Sequence, residues 1–436
     1  MTRIRLTNKL ISIAILLMLA AIVLITPLSN RGFAGEEATF CLGFILLFGY
    51  YLAKLLNGIR LPAISGYILA GVIAGPFGIN LLSKDVVRAL QLFDDAALAI
   101  IALIAGGEMK LSILRARAGS FFSVIVGQVA FAFIGAGIIS IALVRQFSST
   151  MASGVAPILA VALLLGLVTA ARSPSTTIGI VTETRSRGPL TELIIGVTVI
   201  LDVLLLVLIA FIVPMAKTLA TTGQTFSLFF AKDLFVEVFG SIGIGVFFGA
   251  MVGSYIRWVG GYLPLFLVGI GFVGSLVCRY YNLEPLLAFM IAGFVVENYS
   301  KMGDDLIRGL EKSAFPVYVI FFAISGASID LSSLRAMWSF AIVLVVVRAA
   351  SFYAGGWLAG RVSRDVRPHI SSMWLGYLSQ AGVTIGLASI IERNFSWGSE
   401  LKTLILAVVA INQLIGPVFL RWLLEKKGET GGMDRI

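Results

Sequence analysis

The chain has 436 residues, 58% of them hydrophobic and 13% charged, with a mean hydropathy of +0.99. Soluble domains average about 25% charged residues, so a soluble globular protein is excluded. A formal net charge of +10 suggests nucleic acid on a soluble chain, but here the cations fall in short loops between apolar stretches, so membrane topology explains them and no nucleic-acid partner is implied.

Fourteen apolar stretches run along the chain, near 10–28, 38–57, 61–76, 86–107, 118–144, 154–183, 190–213, 231–256, 260–279, 284–298, 305–327, 333–360, 369–392 and 399–424. Each is of the order of the ~20 residues that a helix needs to cross a ~30 Å hydrocarbon core. None alternates with period two, so helices rather than barrel strands are expected. The first stretch, with its basic start, reads as a retained helix or as a signal peptide; either way residue 38 begins on the outer side. Alternate loops then carry Lys54 and Arg60, Lys110, Arg115 and Arg117, Arg185 and Arg187, Arg257, Lys301, Arg361, Arg364 and Arg367, and finally Arg421, Lys426 and Lys427. With Arg3, Arg5 and Lys9 inside as well, that bias puts both termini in the cytoplasm, in what reads as a cell (inner) membrane.

Cys41 and Cys278 are too few for a disulfide framework or a metal site, and His369 reads as a loop residue. No zinc-protease helix, nucleophile elbow or phosphate loop is present. An enzyme is not expected, and no cofactor is implied.

Two stretches are interrupted by similar strings, Ser173-Pro174-Ser175-Thr176-Thr177-Ile178-Gly179 and Ser379-Gln380-Ala381-Gly382-Val383-Thr384-Ile385-Gly386. The two interrupted spans stand seven apart in order, sixth and thirteenth, so the two halves would be inverted in the membrane. Paired interruptions of this kind point to a transporter site, although small residues also serve close helix packing. Pro174 removes a donor and frees carbonyls in the preceding turn. Carbonyls with the hydroxyls of Ser173, Ser175, Thr176 and Thr177 are hard oxygen ligands suited to a monovalent cation.

Asp202 stands in mid-span within Val199-Ile200-Leu201-Asp202-Val203-Leu204. An ionisable group there costs at least about 2.5–3.5 kcal/mol, which makes it a functional candidate by default. Arg348, also in mid-span, is a fixed charge that suits helix C-terminal ends or a carboxylate. Arg172 precedes the first interruption, with a gating or pairing role, and Gln380 and Thr384 belong to the second. Asp94, Asp95 and Glu108 could line an entrance funnel.

Several strings in order resemble the monovalent cation:proton antiporter superfamily, branch two, over about 38–425. They are Gly66-Tyr67-Ile68-Leu69-Ala70-Gly71, Ile104 to Met109, Ser173 to Thr177, Asp202, Phe321 to Asp330, Arg348 and Leu378 to Gly382. The resemblance implies an all-α polytopic fold of about 13–14 transmembrane helices, with inverted repeats and two crossing broken helices. It implies an N-terminal helix or signal peptide over 1–37, and a dimerisation scaffold over 38–117 and 231–332. An ion-transport core would span 118–213 and 333–425, before a short tail over 426–436. The function implied is exchange of Na⁺ or K⁺, and possibly Li⁺, for H⁺ at Asp202, by elevator motion in a homodimer. Members usually carry Asp-Asp, Asn-Asp or Gln-Asp where this chain has Leu201-Asp202. With one titrating group, electroneutral 1:1 exchange is expected. An organic-anion carrier using Arg172 or Arg348, or a non-transporting membrane sensor, stays open as an alternative.

Overall fold

The computed structural model describes residues 34–59, 61–146, 155–220, 229–300, 302–364 and 366–431, together with 11, 14–16 and 18. The expected first span, 10–28, lies largely outside the described residues, as do Arg3, Arg5, Lys9, Arg60 and Lys301. Every regular element among the described residues is helical. In chain order they are α1 (Ala34–Asn57), α2 (Ala63–Ala74), α3 (Lys84–Ala89), α4 (Gln91–Glu108), α5 (Leu111–Ala116), α6 (Ala118–Gln146), α7 (Val155–Ala170), α8 (Pro174–Thr184), α9 (Pro189–Ala220), α10 (Phe229–Trp258), α11 (Leu263–Tyr280), α12 (Pro285–Val295), α13 (Gly303–Ala327), α14 (Leu331–Val362), α15 (Gly382–Asn394) and α16 (Gly398–Lys426).

Each expected span from residue 38 onward coincides with a helix or a broken helix. Eight segments are long and apolar enough to cross a bilayer, and Ala63–Ala74, Pro285–Ser300 and Pro316–Ala327 are shorter apolar helices. The expected single span 86–107 is instead two helices. Ser83 caps α3 by accepting from Val86 N at 3.2 Å, and Leu90 O then takes the amides of Phe93 and Asp94, which turns the chain before α4. The span 369–392 opens as 3₁₀ turns (Arg367–His369, Met373–Tyr377) and becomes α-helical only from Gly382.

The helices gather into two compact units. One comprises Met1–Glu108 with Ser241–Ile329; the other comprises Met109–Gly240 with Asp330–Ile436. In the first unit α2 packs on α1 and α13, while α4 packs on α12 and α13. Cys41, Ile45, Ala70, Leu82, Leu90 and Ala323 share a buried cluster there. Both cysteines are free and buried.

In the second unit α6 packs along α7 and α14, α14 along α16, and α16 along α15. The α6–α14 approach depends on facing glycines: a Cβ on Gly127 would lie 2.6 Å from Gly355 O. Small residues let backbones approach where lipid supplies no hydrophobic drive between helices. Asp330 starts α14 as its N-cap, accepting from Ser332 N at 3.0 Å and Ser333 N at 3.1 Å. Burial pushes its carboxyl up, but the hydrogen bonds from the Ser332 and Ser333 side chains and amides outweigh that and hold it below the usual range.

Candidate functional site

Two helices of the second unit are broken, and the breaks meet. Between α7 and α8 the chain is non-helical at Ala171, Arg172 and Ser173; between the Met373–Tyr377 turn and α15 it is non-helical from Leu378 to Ala381. Ser173 N donates to Ser379 O at 2.9 Å, a backbone hydrogen bond from one break to the other. Irregular backbone at membrane depth is tolerated only where its polar groups are met inside the protein, and several of the partners here come from side chains.

The C-terminal carbonyls of α7 come first. Leu167 O accepts from Ala171 N at 2.9 Å, and Val168 O accepts from Gln380 Nε2 at 2.6 Å. Thr169 O accepts from Arg348 Nη1. The other branch of Arg348, Nη2, donates to Tyr377 O at 2.9 Å. One guanidinium thus bridges carbonyls at the ends of both first half-helices, where the dipoles place partial negative charge. Gln380 is held in turn by Asn412 Nδ2, which donates to its Oε1 at 2.7 Å. Arg348, Gln380 and Asn412 are each 0% exposed. Replacing Gln380 with Leu is expected to leave the Val168 carbonyl and the Asn412 amide unpaired, at about 1–3 kcal/mol for each buried group. Thermal unfolding in detergent would show it as a lower midpoint, and an unchanged midpoint would deny the bridge its structural weight.

Arg172 is 2% exposed and donates from Nη2 to Gln128 Oε1 at 2.8 Å. Its guanidinium lies over the rings of Tyr377 (4.3 Å) and Phe352 (4.8 Å), and that of Arg348 lies 4.5 Å from the Phe352 centroid. Desolvated cation–π contacts of this kind contribute about 2 kcal/mol each. Among the described residues no carboxylate hydrogen-bonds to either arginine, so carbonyls, an amide and aromatic faces carry the two charges.

The hydroxyls of the first break close their own turn. Ser173 is the N-cap of α8, with Pro174 at the first helical position, and its Oγ accepts from Thr176 N at 3.2 Å. The same Oγ lies 3.1 Å from Ser175 Oγ and 2.9 Å from Thr176 Oγ1, while Thr177 Oγ1 donates to Ser173 O at 3.0 Å. In the second break Ser379 Oγ and Thr384 Oγ1 are buried and have no hydrogen-bond partner among the described residues.

Asp202 is 5% exposed near the middle of α9, and the preceding Leu201 is 0% exposed. The helix runs beside both broken segments, packing on α7, α8, α15 and the Met373–Tyr377 turn. Ile194 fills the space beside Gly376, and Lys217 Nζ donates to Asn394 Oδ1 at 3.4 Å. Thr198, one helical turn before Asp202 and so on the same face, is buried with a hydroxyl that no described residue meets.

The second unit therefore gathers Arg172, Ser173, Ser175, Thr176, Thr177, Arg348 and Gln380 at one crossover, with Thr384 in the first turn of α15 and Asp202 on the adjoining helix. Asp94, Asp95 and Glu108 lie in the first unit. Asp95 pairs with Arg279, Asp94 is partly buried beside it in sequence, and Glu108 is exposed at the end of α4. Sequence reasoning passed over Gln128, Thr198 and Asn412. All three are polar residues in mid-span, a weaker signal than the ionisable group that found Asp202. His369 ends the 3₁₀ turn with which the span 369–392 opens.

The chain matches the family model described as "Sodium/hydrogen exchanger, transmembrane" over residues 43–426. It is 18% identical over 392 residues to a Na⁺/H⁺ antiporter of Enterococcus hirae, covering 84% of this chain and 92% of that protein. It is 23% identical over 364 residues to the ammonium/H⁺ antiporter subunit AmhT of Alkalihalophilus pseudofirmus, covering 82% and 84%. Among solved structures, the sodium proton antiporter MjNhaP1 from Methanocaldococcus jannaschii at pH 8 superposes with a TM-score of 0.65 at 17% identity, covering 90% of this chain and 99% of that one. The fold is that of a Na⁺/H⁺ antiporter, with inverted repeats crossing at two broken helices. The family match runs from within α1 to the end of α16, and on it this multi-pass membrane protein belongs to the sodium/hydrogen exchanger family.

Proposed function

We propose that the protein exchanges a monovalent cation for H⁺ across the membrane, with the two ions competing for Asp202. The observation that carries this reading is a buried carboxylate in the middle of a membrane helix that runs beside two crossing helix breaks. A carboxylate kept from water can release a proton only when another cation takes its place, which is the coupling an antiporter needs. Ser173, Ser175, Thr176, Thr177 and Thr384, with backbone carbonyls, supply the other oxygens at the crossover. Thr198 joins them on the same face of α9 as Asp202. Arg348 holds the two half-helices together, and Arg172 fixes the adjoining aromatic pair. Arg172 Nη2 is taken by the Gln128 amide and both Arg348 Nη atoms by helix-end carbonyls.

The second unit is the ion-transport core in this reading, and the first, which carries Asp94, Asp95 and Glu108, is the scaffold. Alternating access follows from displacement of the core, in a homodimer whose C-terminus is cytoplasmic. With Leu201 in place of a second ligand, H⁺ and a monovalent cation exchange one for one on a single carboxylate. The loaded core then carries the same charge in both states, and exchange is electroneutral.

Proteoliposomes with an internal pH dye test this. Na⁺, K⁺, Li⁺ and NH₄⁺ are added in turn, with and without a clamped membrane potential. Proton release that depends on one or more of these ions and is indifferent to potential is expected. A rate that follows the potential would refute electroneutrality, and no response to any cation would refute antiport.

A further inference from the structure

The helix that carries Asp202 has no N-cap of its own. Gly188 stands at the cap position with no side chain, and Pro189 has no amide, so the orphan donors of the first turn of α9 are Leu190 N and Thr191 N. Both are met from the other end of the chain. Leu190 N donates to Glu429 Oε1 at 2.9 Å, Thr191 N donates to Glu429 Oε2 at 2.7 Å, and the Thr191 hydroxyl donates to the same oxygen at 2.7 Å. A carboxylate is the favoured partner here because the amide ends of the helix carry its positive partial charge.

The presentation of Glu429 is also built. α16 closes in a Schellman motif: Gly428 has φ +69, its N donates to Glu425 O at 3.1 Å, and Glu429 N donates to Leu424 O at 3.1 Å. The left-handed glycine turns the chain back onto the α8–α9 corner. There Arg187 N donates to Glu429 O at 2.8 Å, and Gly431 N donates to Arg185 O at 3.2 Å. Gly188 leaves room for the carboxylate, since a Cβ there would lie 2.4 Å from Cδ of Glu429. Further along α16, Arg421 reaches back to Glu183 of α8 at 3.5 Å.

We infer that the tail after α16 is a clasp, and that Glu429 is a positioning residue for ion exchange. It fixes the start of α9, and through that helix the setting of Asp202 against the two breaks. The inference rests on Asp202 being the exchanging carboxylate. Loss of the clasp would let the corner fray and spread the positions available to Asp202, which weakens cation binding before it slows turnover.

The test pairs amide hydrogen exchange with transport in the full chain. In the wild type, Leu190 and Thr191 are expected to be protected although first-turn amides have no intrahelical acceptor. Glu429→Ala removes the carboxylate, and Gly188→Ala displaces it while leaving Glu429 in place. Both are expected to raise exchange at 185–191 by about tenfold or more. Both are also expected to raise the cation concentration for half-maximal transport several-fold, with a smaller change in maximal rate. Glu429→Asp, which keeps the charge, should recover part of both effects. Rapid wild-type exchange at Leu190 and Thr191, or no change in either variant, overturns the clasp. A loosened corner with an unaltered half-maximal concentration overturns the positioning role alone. Transport that survives Asp202→Asn would instead overturn the reading on which the inference rests, and the amide data would not depend on it.

Discussion

Asp202→Asn is expected to abolish cation-dependent proton movement while the protein folds as before. Asparagine fills nearly the same volume but neither binds nor releases a proton and carries no charge for a metal cation. Asp202 is 5% exposed in the middle of α9. The side chains are nearly isosteric, so the unfolding temperature of the variant should stay near that of the wild type. Loss of exchange with retained thermal stability is therefore the combined result. Exchange that persisted in the folded variant would remove Asp202 from the site, and an unfolded variant would mark it as structural.

Arg348→Lys is the second large effect. The substitution keeps the charge and removes the fork. Arg348 joins Thr169 O to Tyr377 O and lies against the Phe352 ring, three contacts that a single ammonium cannot reproduce at once. At least one buried helix-end carbonyl is left without a donor, at about 1–3 kcal/mol. Thermal stability should fall by several degrees, and exchange by about tenfold or more, because the crossover that frames the ion site would lose its fixed geometry. Normal transport and stability in this variant would mean that the charge alone matters and that the bridge between the half-helices is incidental.

Much of this was legible because membrane chains advertise their costs. A bilayer makes apolar length and buried charge expensive, so spans from residue 38 onward, the two interruptions, Asp202 and Arg348 all stand out against an apolar background. Where the background is less apolar the reading blurred. The turn at Leu90 divides a stretch that looked continuous, because a Ser83 cap and a carbonyl shared by two amides leave little mark on hydropathy. Gln128, Thr198 and Asn412 were passed over because a neutral amide or hydroxyl in mid-span costs far less than a charge and so draws less notice.

By itself the sequence determined the helical class, the membrane setting, the order of the spans, the two breaks and the lone mid-span carboxylate. Each follows from local composition measured against a fixed bilayer thickness. Only the tertiary structure decided who partners whom. Ser173 with Ser379, Arg348 with two carbonyls, Gln380 with Val168 and Asn412, and Glu429 with the start of α9 all join residues far apart in the chain. A hydrogen bond depends on distance and direction in space, and no periodicity along the sequence encodes either.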